Sequence, residues 1–325
     1  MKFLHCILWI ILPLSAGALT INGLPYLEAN EVAGRLGMKT SWIERGKRIR
    51  LESQWTRMEF ELNKREMVLN GTPVHLGFPV AEHRGRLCIS ESDYSNQIQP
   101  ILTPQLNGNP PGLRRIVIDP GHGGKDPGAQ NPSLGLREKA LTLDLAKRLQ
   151  RLLQANGFEV SLTRSDDTFI ELDERSAIAN RRGADLFVSI HFNALERSSV
   201  SGVETYAFTP FKQPSSARAD LHESDLRNYA GQQDGPWSTL LAYYVQRSLA
   251  DSLGSSDRGL KRARFTVLRD LRMPGILVEG GFVTHPREGS NIGSAAYRDK
   301  MARALTEGIL LYQKTLSRLE GTAAR

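Results

Sequence analysis

The chain from about residue 113 onward alternates short apolar runs with longer segments whose apolar residues recur at helical spacing. Leu141, Leu145, Leu149 and Leu152 form one such helical stripe, and Gly157 follows as a stop signal. The predicted strands are 115–119, 158–162, 186–191, 202–208, 265–268 and 276–279, and the predicted helices are 139–156, 172–182, 239–253 and 295–315. Strands that alternate with helices predict an α/β domain with a mixed, largely parallel sheet flanked by helices.

The preceding residues, 19–102, show a different pattern of short strand signals and tight turns. Asn22-Gly23 and Asn70-Gly71 lie between apolar flanks, which is typical of hairpins. One short helix is predicted at 29–36, and strands are predicted at 39–42, 48–51, 58–62, 66–69 and 87–89. This pattern predicts a small α+β domain at 19–102, a Pro/Gly/Asn-rich linker at 103–112, a main domain at 113–317 and a tail at 318–325.

The first 18 residues have the pattern of a secretory signal. Lys2 begins a weakly basic segment, an apolar run extends from Phe3 to Leu14, and Ala16-Gly17-Ala18 offers a small-x-small cleavage site. The apolar run is too short to cross a bilayer, and no later run is long enough. We therefore expect an exported protein of the periplasm or cell envelope, without stable membrane insertion after signal cleavage.

The formal net charge of +7 allows several anionic partners. Nucleic acid is disfavoured, because the chain has an export signal and lacks aromatic residues interleaved with Lys and Arg. Cell-wall polymers, which carry carboxylates and phosphates, suit a basic exported protein better.

Four side chains with metal or proton chemistry lie where predicted strands end or helices begin. His122 lies in a glycine-rich loop after the strand at 115–119, Glu138 opens the first main-domain helix, and His191 ends the strand at 186–191. Two histidines and a glutamate form a common catalytic zinc set that leaves a fourth position for water. Glu279, at another strand end, could then serve as a general base.

Each of these residues also has an ordinary structural interpretation. His191 alone would more often be a hydrogen-bonded core histidine, and Glu138 a solvated charge at a helix start. The loop fails as a P-loop because Asp126, not Ser or Thr, follows Lys125, and it lacks dinucleotide-binding glycine spacing. Glu279 is harder to dismiss, since a carboxylate among apolar residues is costly unless it is paired or coordinating.

Taken together, the motifs resemble those of the zinc-dependent N-acetylmuramoyl-L-alanine amidases of the type 3 family. The matching segments are Ile-Val-Ile-Asp-Pro-Gly-His-Gly-Gly-Lys-Asp-Pro-Gly (116–128), Arg-Glu-Lys (137–139), Leu-Thr-Arg (162–164), Leu-Phe-Val-Ser-Ile-His-Phe-Asn-Ala (186–194), Gly-Val-Glu-Thr-Tyr (202–206) and Val-Glu-Gly-Gly-Phe (278–282). The resemblance implies that His122, Glu138 and His191 bind Zn²⁺ and that Glu279 is the catalytic acid/base. Residues 19–102 look like the stalk-type domain similar to the amino-terminal domain of copper amine oxidases.

The resemblance implies a peptidoglycan hydrolase that cuts the amide between N-acetylmuramic acid and L-alanine of the stem peptide. A zinc peptidase acting within the stem and a non-catalytic wall-binding protein remain alternatives. Some family members carry an autoinhibitory helix that a protein activator moves. The long connection at 209–238 could be such a lid, with a short helix at 219–229 that brings Glu223 or Asp225 near the metal.

Overall fold

The computed structural model describes residues 19–195 and 199–323, so the predicted signal peptide lies outside the described residues. The amino-terminal part is built from nine strands and a few short helical segments. The strands are β1 (Leu19–Ile21), β2 (Leu24–Glu28), β3 (Lys39–Glu44), β4 (Arg48–Glu52), β5 (Arg57–Glu61), β6 (Glu66–Leu69), β7 (Thr72–His75), β8 (Ala81–His83) and β9 (Arg86–Ser90). The helices are α1 (Ala29–Arg35), α2 (Glu91–Asp93) and α3 (Gln99–Leu102), with a π-turn at Tyr94–Ile98 joining the last two and a 3₁₀ turn at Pro104–Leu106.

The carboxy-terminal part alternates strands and helices as the sequence pattern predicts. Its strands are β10 (Arg115–Pro120), β11 (Gln130–Asn131), β12 (Leu136–Arg137), β13 (Glu159–Leu162), β14 (Leu186–Asn193), β15 (Val203–Phe208), β16 (Asp257–Ala263) and β17 (Gly275–Phe282). Its helices are α4 (Glu138–Ala155), α5 (Leu172–Arg181), α6 (Gly235–Leu253), α7 (Thr266–Arg269), α8 (Pro286–Gly293) and α9 (Ala295–Ala323). Short 3₁₀ turns lie at Pro132–Leu134, Glu223–Leu226 and Ala230–Gln232.

Strands from both parts form one sheet in the order β13-β10-β14-β17-β15-β16-β7-β6-β5-β4-β3. Strands β13, β10, β14 and β17 are parallel, β15 is antiparallel to β17, and β16 is parallel to β15. The predicted mixed α/β sheet is therefore confirmed. Since β10, β14 and β17 run in the same direction, the residues that follow them meet at one edge of the sheet.

The two faces of this sheet differ. On the face that we call the helical face, Ile118, Val188, Val278 and Leu260 join one apolar cluster that includes residues of α4, α6 and α9. On the other side, α5 and α7 cover only the half nearest the beginnings of the parallel strands, around Phe187. The uncovered remainder, which carries His191, Glu279 and Glu204, is called the open face.

The amino-terminal strands continue the same sheet through β7, which pairs in parallel with β16 at Leu260 and Val74. Arg262 of β16 is buried and donates to the Asn96 carbonyl at 2.8 Å and to Gln97 Oε1 at 2.8 Å. We call this contact between the amino-terminal part and the rest of the chain the joint. Across it, Gln213 donates to the buried carboxylate of Asp93 at 3.1 Å. A shared sheet and buried polar contacts therefore join residues 19–102 to the remainder of the chain.

Residues 257–269 differ from the prediction. The strand Asp257–Ala263 was not predicted, because Arg258, Lys261 and Arg262 interrupt its apolar pattern. The strand predicted at 265–268 is wrong, since Thr266–Arg269 forms the short helix α7.

The long connection at 209–238 also departs from the prediction. Before α6 begins at Gly235, it contains only the 3₁₀ turns at Glu223–Leu226 and Ala230–Gln232, so the helix predicted at 219–229 is wrong. The connection leaves β15 at Phe208, and β15 is antiparallel to β17 with Ala207 opposite Ile276 and Glu204 opposite Glu279. It therefore starts at the sheet edge opposite to Glu279.

Among residues 19–195 and 199–323, no helix is both long and apolar enough to cross a bilayer.

Candidate metal centre and active site

His122 lies in the glycine-rich loop that follows β10. Its backbone is left-handed, with φ of 63°, a conformation that is uncommon outside glycine. Arg175 donates to the His122 carbonyl at 2.9 Å, and Arg164 donates to the Gly121 carbonyl at 2.7 Å. These two guanidinium groups hold the loop in the turn that points the imidazole toward the sheet edge.

A buried ion pair underlies this loop. Arg175 and Asp119 pair at 2.9 Å, and both side chains are almost fully buried. Thr163 and Ser189 donate their hydroxyls to the two Asp119 oxygens at 2.6 and 2.8 Å. Because every Asp119 oxygen has a donor, the pair fixes the end of β10 against β13 and β14.

Glu138 is the first residue of α4 and is 3% exposed. Its carboxylate accepts the backbone N–H of Ala129 at 2.7 Å and that of Phe192 at 2.9 Å. Burial alone would raise its pKa, but contacts with His122 and His191 outweigh burial and lower the pKa to about 2. Glu138 is therefore an ionised, preoriented carboxylate.

The structure brings His122, Glu138 and His191 together. His122 Nε2 lies 3.0 Å from Glu138 Oε2, and His191 Nδ1 lies 3.1 Å from Glu138 Oε1. One potential ligand atom from each residue lies within 4.8 Å of the others. The donor set has the nitrogen and oxygen atoms that a catalytic zinc site uses, and the three residues can hold a metal ion.

Glycines provide the space for this cluster. A Cβ at Gly121 would lie 2.3 Å from the His191 ring, and a Cβ at Gly128 would lie 2.6 Å from the His122 ring. His122 Nδ1 is 2.7 Å from Asp126 Oδ2, which leaves Nε2 directed at Glu138. Such an outer carboxylate orients a metal-binding histidine.

Glu279 lies beside this cluster, directly across from His191 in the β14–β17 pairing. Its Oε2 is buried and has no hydrogen-bond partner among the described residues. Burial, followed by the negative charges of Glu138 and Glu204, raises the pKa of Glu279 well above its ordinary value. The side chain is thus a buried acid that can hold a proton next to the three ligand candidates.

Glu204, opposite Glu279 on β15, is held in the opposite protonation state. Arg258 donates to it at 2.8 Å, Lys261 forms a second ion pair, and the Tyr206 hydroxyl donates at 2.8 Å. Burial would raise its pKa, but these partners, Lys261 foremost, lower it. Two adjacent carboxyls whose pKa values are pushed apart are typical of acid/base sites.

All four residues proposed from the sequence converge, whereas the supporting residues were not predicted. Asp126, Asp119 and Glu204 lie within the quoted motifs, but the roles of Asp119 and Glu204 depend on partners distant in sequence. The expectation that Glu223 or Asp225 approaches the metal is wrong. Asp225 is buried against Arg264 and Arg218, and Glu223 is exposed.

The fold and this site define a mixed α/β protein with a histidine–glutamate group at the carboxyl edge of its sheet. Residues 116–310 match the family model described as N-acetylmuramoyl-L-alanine amidase, and the chain belongs to this family.

Similar proteins and a solved structure support the assignment to this family. The chain is 40% identical over 206 residues to N-acetylmuramoyl-L-alanine amidase LytC of Bacillus subtilis, covering 63% of this chain and 37% of LytC. It is 36% identical over 224 residues to AmiA of Escherichia coli, covering 62% of this chain and 76% of AmiA. The solved amidase AmiC2 of Nostoc punctiforme aligns with a TM-score of 0.52 and 35% identity, over 63% of this chain and 99% of that one. The chain thus spans well under half of LytC but about three-quarters of AmiA.

Proposed function

We propose that this chain hydrolyses the amide that joins N-acetylmuramic acid to L-alanine of the peptidoglycan stem peptide. The observation that carries the proposal is the convergence of His122, Glu138 and His191 beside the buried acid Glu279. Family membership supplies the bond to be cut.

The metal that fits the three residues best is Zn²⁺. Two imidazole nitrogens and one carboxylate suit zinc, and the outer contact of His122 with Asp126 resembles the second shell of such sites. When bound, the ion would supply Lewis-acid polarisation of the substrate carbonyl and activation of water.

Within this proposal the chain's own residues orient the ligands and move the proton. Glu138 stays ionised because its oxygens accept two backbone N–H groups and contact both histidines. Glu279 takes a proton from the attacking water and gives it to the nitrogen of the leaving L-alanine. The negative charges of Glu138 and Glu204 raise the proton affinity of the Glu279 carboxylate, so it can accept that proton and hold it until the nitrogen leaves.

The cellular location follows from the proposed substrate. We propose that residues 1–18 direct export of the chain and that it acts on peptidoglycan in the periplasm or cell envelope. A protein activator remains a proposal from the family resemblance alone, because the segment expected to form a lid starts at the far edge of the sheet. The domain limits 19–102, 103–112, 113–317 and 318–325 likewise stay proposals.

The decisive experiment is to incubate the purified chain with peptidoglycan and identify the released fragments by mass. An amidase releases intact stem peptides that begin with L-alanine and leaves glycan with free lactyl carboxyls. Shortened stems would indicate the peptidase alternative, and binding without release would indicate the non-catalytic one. Chelation should abolish release, about one equivalent of Zn²⁺ per chain should restore it, and full activity after exhaustive chelation would contradict the metal assignment.

A further inference from the structure

The open face of the sheet continues from the proposed active site into the amino-terminal strands. Glu279 of β17 faces Glu204 of β15, and Tyr206, on the same face as Glu204, faces Lys261 of β16. Since Leu260 pairs with Val74, the next residues, Lys261 and His75, share this face. His75 in turn pairs with Glu66 of β6. These pairings place Glu279, Glu204, Lys261, His75 and Glu66 on one side of the sheet, and the Phe265 ring packs against Tyr206 on that side.

Polar side chains cover this face beyond β7. Glu59 of β5 pairs across the sheet with Val68, and Arg50 of β4 donates to Glu59 at 2.9 Å. The apolar residues of the same strands, such as Phe60 and Leu51, point to the helical face and join the core.

An exposed tryptophan lies at the end of this face. Trp55, in the turn between β4 and β5, is 81% exposed, the largest exposure among the large apolar residues that the structure describes. Within the turn, the Ser53 hydroxyl accepts the backbone N–H groups of Trp55 and Thr56 at 3.3 and 3.2 Å. The indole ring is therefore presented to solvent from a hydrogen-bonded turn.

Strand directions place Trp55 at the sheet edge of the metal cluster. β5 is antiparallel to β6, β6 is antiparallel to β7, and β7 is parallel to β16 and so to β15. The start of β5 therefore lies at the same edge as Glu204, the start of β15. Five strand spacings separate β17 from β5, which amounts to roughly 24 Å.

We propose that the open face from β15 to β5 binds the glycan strand of the substrate polymer and that Trp55 stacks on one of its sugars. This inference rests on the proposed function, which supplies the polymer. A pyranose ring offers an apolar C–H face to an indole ring, while its hydroxyl and acetamido groups match the Glu59 carboxylate and the Arg50 guanidinium. Because the face is continuous with the metal cluster, the same strand can reach both sites.

The test uses the full chain with Trp55→Ala, and Trp55→Phe as the conservative variant. Trp42→Ala is the matched control, because Trp42 lies on β3 opposite Ile49 and so on the helical face. Binding to insoluble peptidoglycan is measured by cosedimentation in a Glu279→Gln background, in which we expect digestion of the polymer to be about 10²–10⁴-fold slower. Cleavage kinetics on the polymer are then measured with Glu279 intact.

We expect Trp55→Ala to weaken cosedimentation and raise KM for the polymer by about three- to tenfold, with kcat retained. Trp55→Phe should recover most of the binding, and Trp42→Ala should match the parent. Parental binding by Trp55→Ala, or an equal loss in Trp42→Ala, would overturn the proposal. Failure of the parent to cleave a single disaccharide with one stem peptide would instead contradict the proposed function, independently of binding.

Discussion

At the scale of single residues, the site depends on glycines, because their lack of a side chain leaves room for the two imidazole rings. Gly121 and Gly128 lie against the two imidazole rings, at positions where any Cβ would overlap them. The left-handed backbone of His122 between two glycines adds local strain that Arg175 and Arg164 offset through backbone carbonyls. The glycines of this loop are thus needed for packing around the histidines, just as the histidines are needed as ligands.

Gly121→Ala tests this requirement. The new methyl group would lie 2.3 Å from the His191 ring, so the ring must move out of the cluster. Because a proposed ligand is displaced, we expect metal affinity to fall by at least the roughly 10–100-fold that loss of a group supporting a ligand costs. Metal analysis after dialysis measures the change, and Gly34→Ala, where no atom lies within 4 Å of the new Cβ, is the control. Parental metal content in Gly121→Ala would contradict the assignment of His191.

Glu279→Gln tests the proton-transfer role. The amide keeps the shape of the side chain but cannot exchange a proton, so we expect turnover to fall by about 10²–10⁴-fold. Metal content should stay close to that of the parent, because Glu279 is not among the three clustered ligand candidates. Wall hydrolysis at the parental rate would rule out this role for Glu279.

The four central residues could be predicted because each follows a strand or opens a helix in the local pattern. Their supports could not, since Asp119 meets Arg175 and Glu204 meets Lys261 only through tertiary structure. A charged residue within an apolar strand, such as Glu204, indicates that a partner of opposite charge is present, but the sequence does not show which residue it is.

At the scale of elements, the connection at 209–238 is attached away from the site. Arg65 of the amino-terminal part donates to the carbonyls of Ser215 and Arg218, and Asp225 is buried against Arg264. Leu221, Asp225 and Tyr229 are four residues apart, which places them on one face of a helix, but ion pairs and two 3₁₀ turns determine the path instead.

Replacing residues 212–234 with a short Gly/Ser linker should therefore not activate the enzyme. We expect a lower melting temperature, because the buried contacts of Asp225 and Gln213 are lost, and no gain in turnover on peptidoglycan. Thermal unfolding and a wall-hydrolysis assay measure the two quantities. A folded variant more active than its parent would restore the lid hypothesis.

Strand β16 could not be predicted from the spacing of its apolar residues. Its charged residues are satisfied by Glu204 on one face and by Gln97 and Asn96 on the other, so an apolar pattern is not needed. By contrast, β10, β14 and the amphipathic α4 were predicted to within two residues at either end, because burial against a single core imposes their pattern.

At the scale of the whole molecule, the two parts share one sheet and one core. If residues 103–112 were a simple linker, a chain starting near Gly112 should still hydrolyse small muropeptides. In the structure, such a truncation would uncover the edge of β16 and remove the partners of buried Arg262. We expect poor solubility or a lower melting temperature, together with partial rescue when residues 19–111 are supplied as a separate chain. A truncated chain that melts like the parent would show that the joint contributes little.

The joint also makes stability depend on pH. Burial, aided by Arg65 and Lys261, lowers the pKa of His75 to about 4, although Glu204 acts in the opposite direction. Between pH 6.5 and 4 the unfolded chain therefore binds a proton at His75 that the folded chain does not, and the free energy of unfolding decreases as pH falls. Urea unfolding at pH 7.5 and 5 should show that the free energy of unfolding falls less for His75→Gln than for the parent. If it falls equally in both proteins, the pH dependence comes from other groups.

The pairing of Val74 with Leu260 has a consequence for synthesis, since the two residues are 186 positions apart (260 − 74). A ribosome that adds about 5–20 residues per second needs roughly 10–40 s to complete that interval. Throughout it, β7 has emerged with its outer hydrogen-bonding groups unpaired, and Val74 still lacks its partner on β16. An open strand edge of this kind is a site for aggregation. A chain that lacks β16 should therefore aggregate more readily than the full chain.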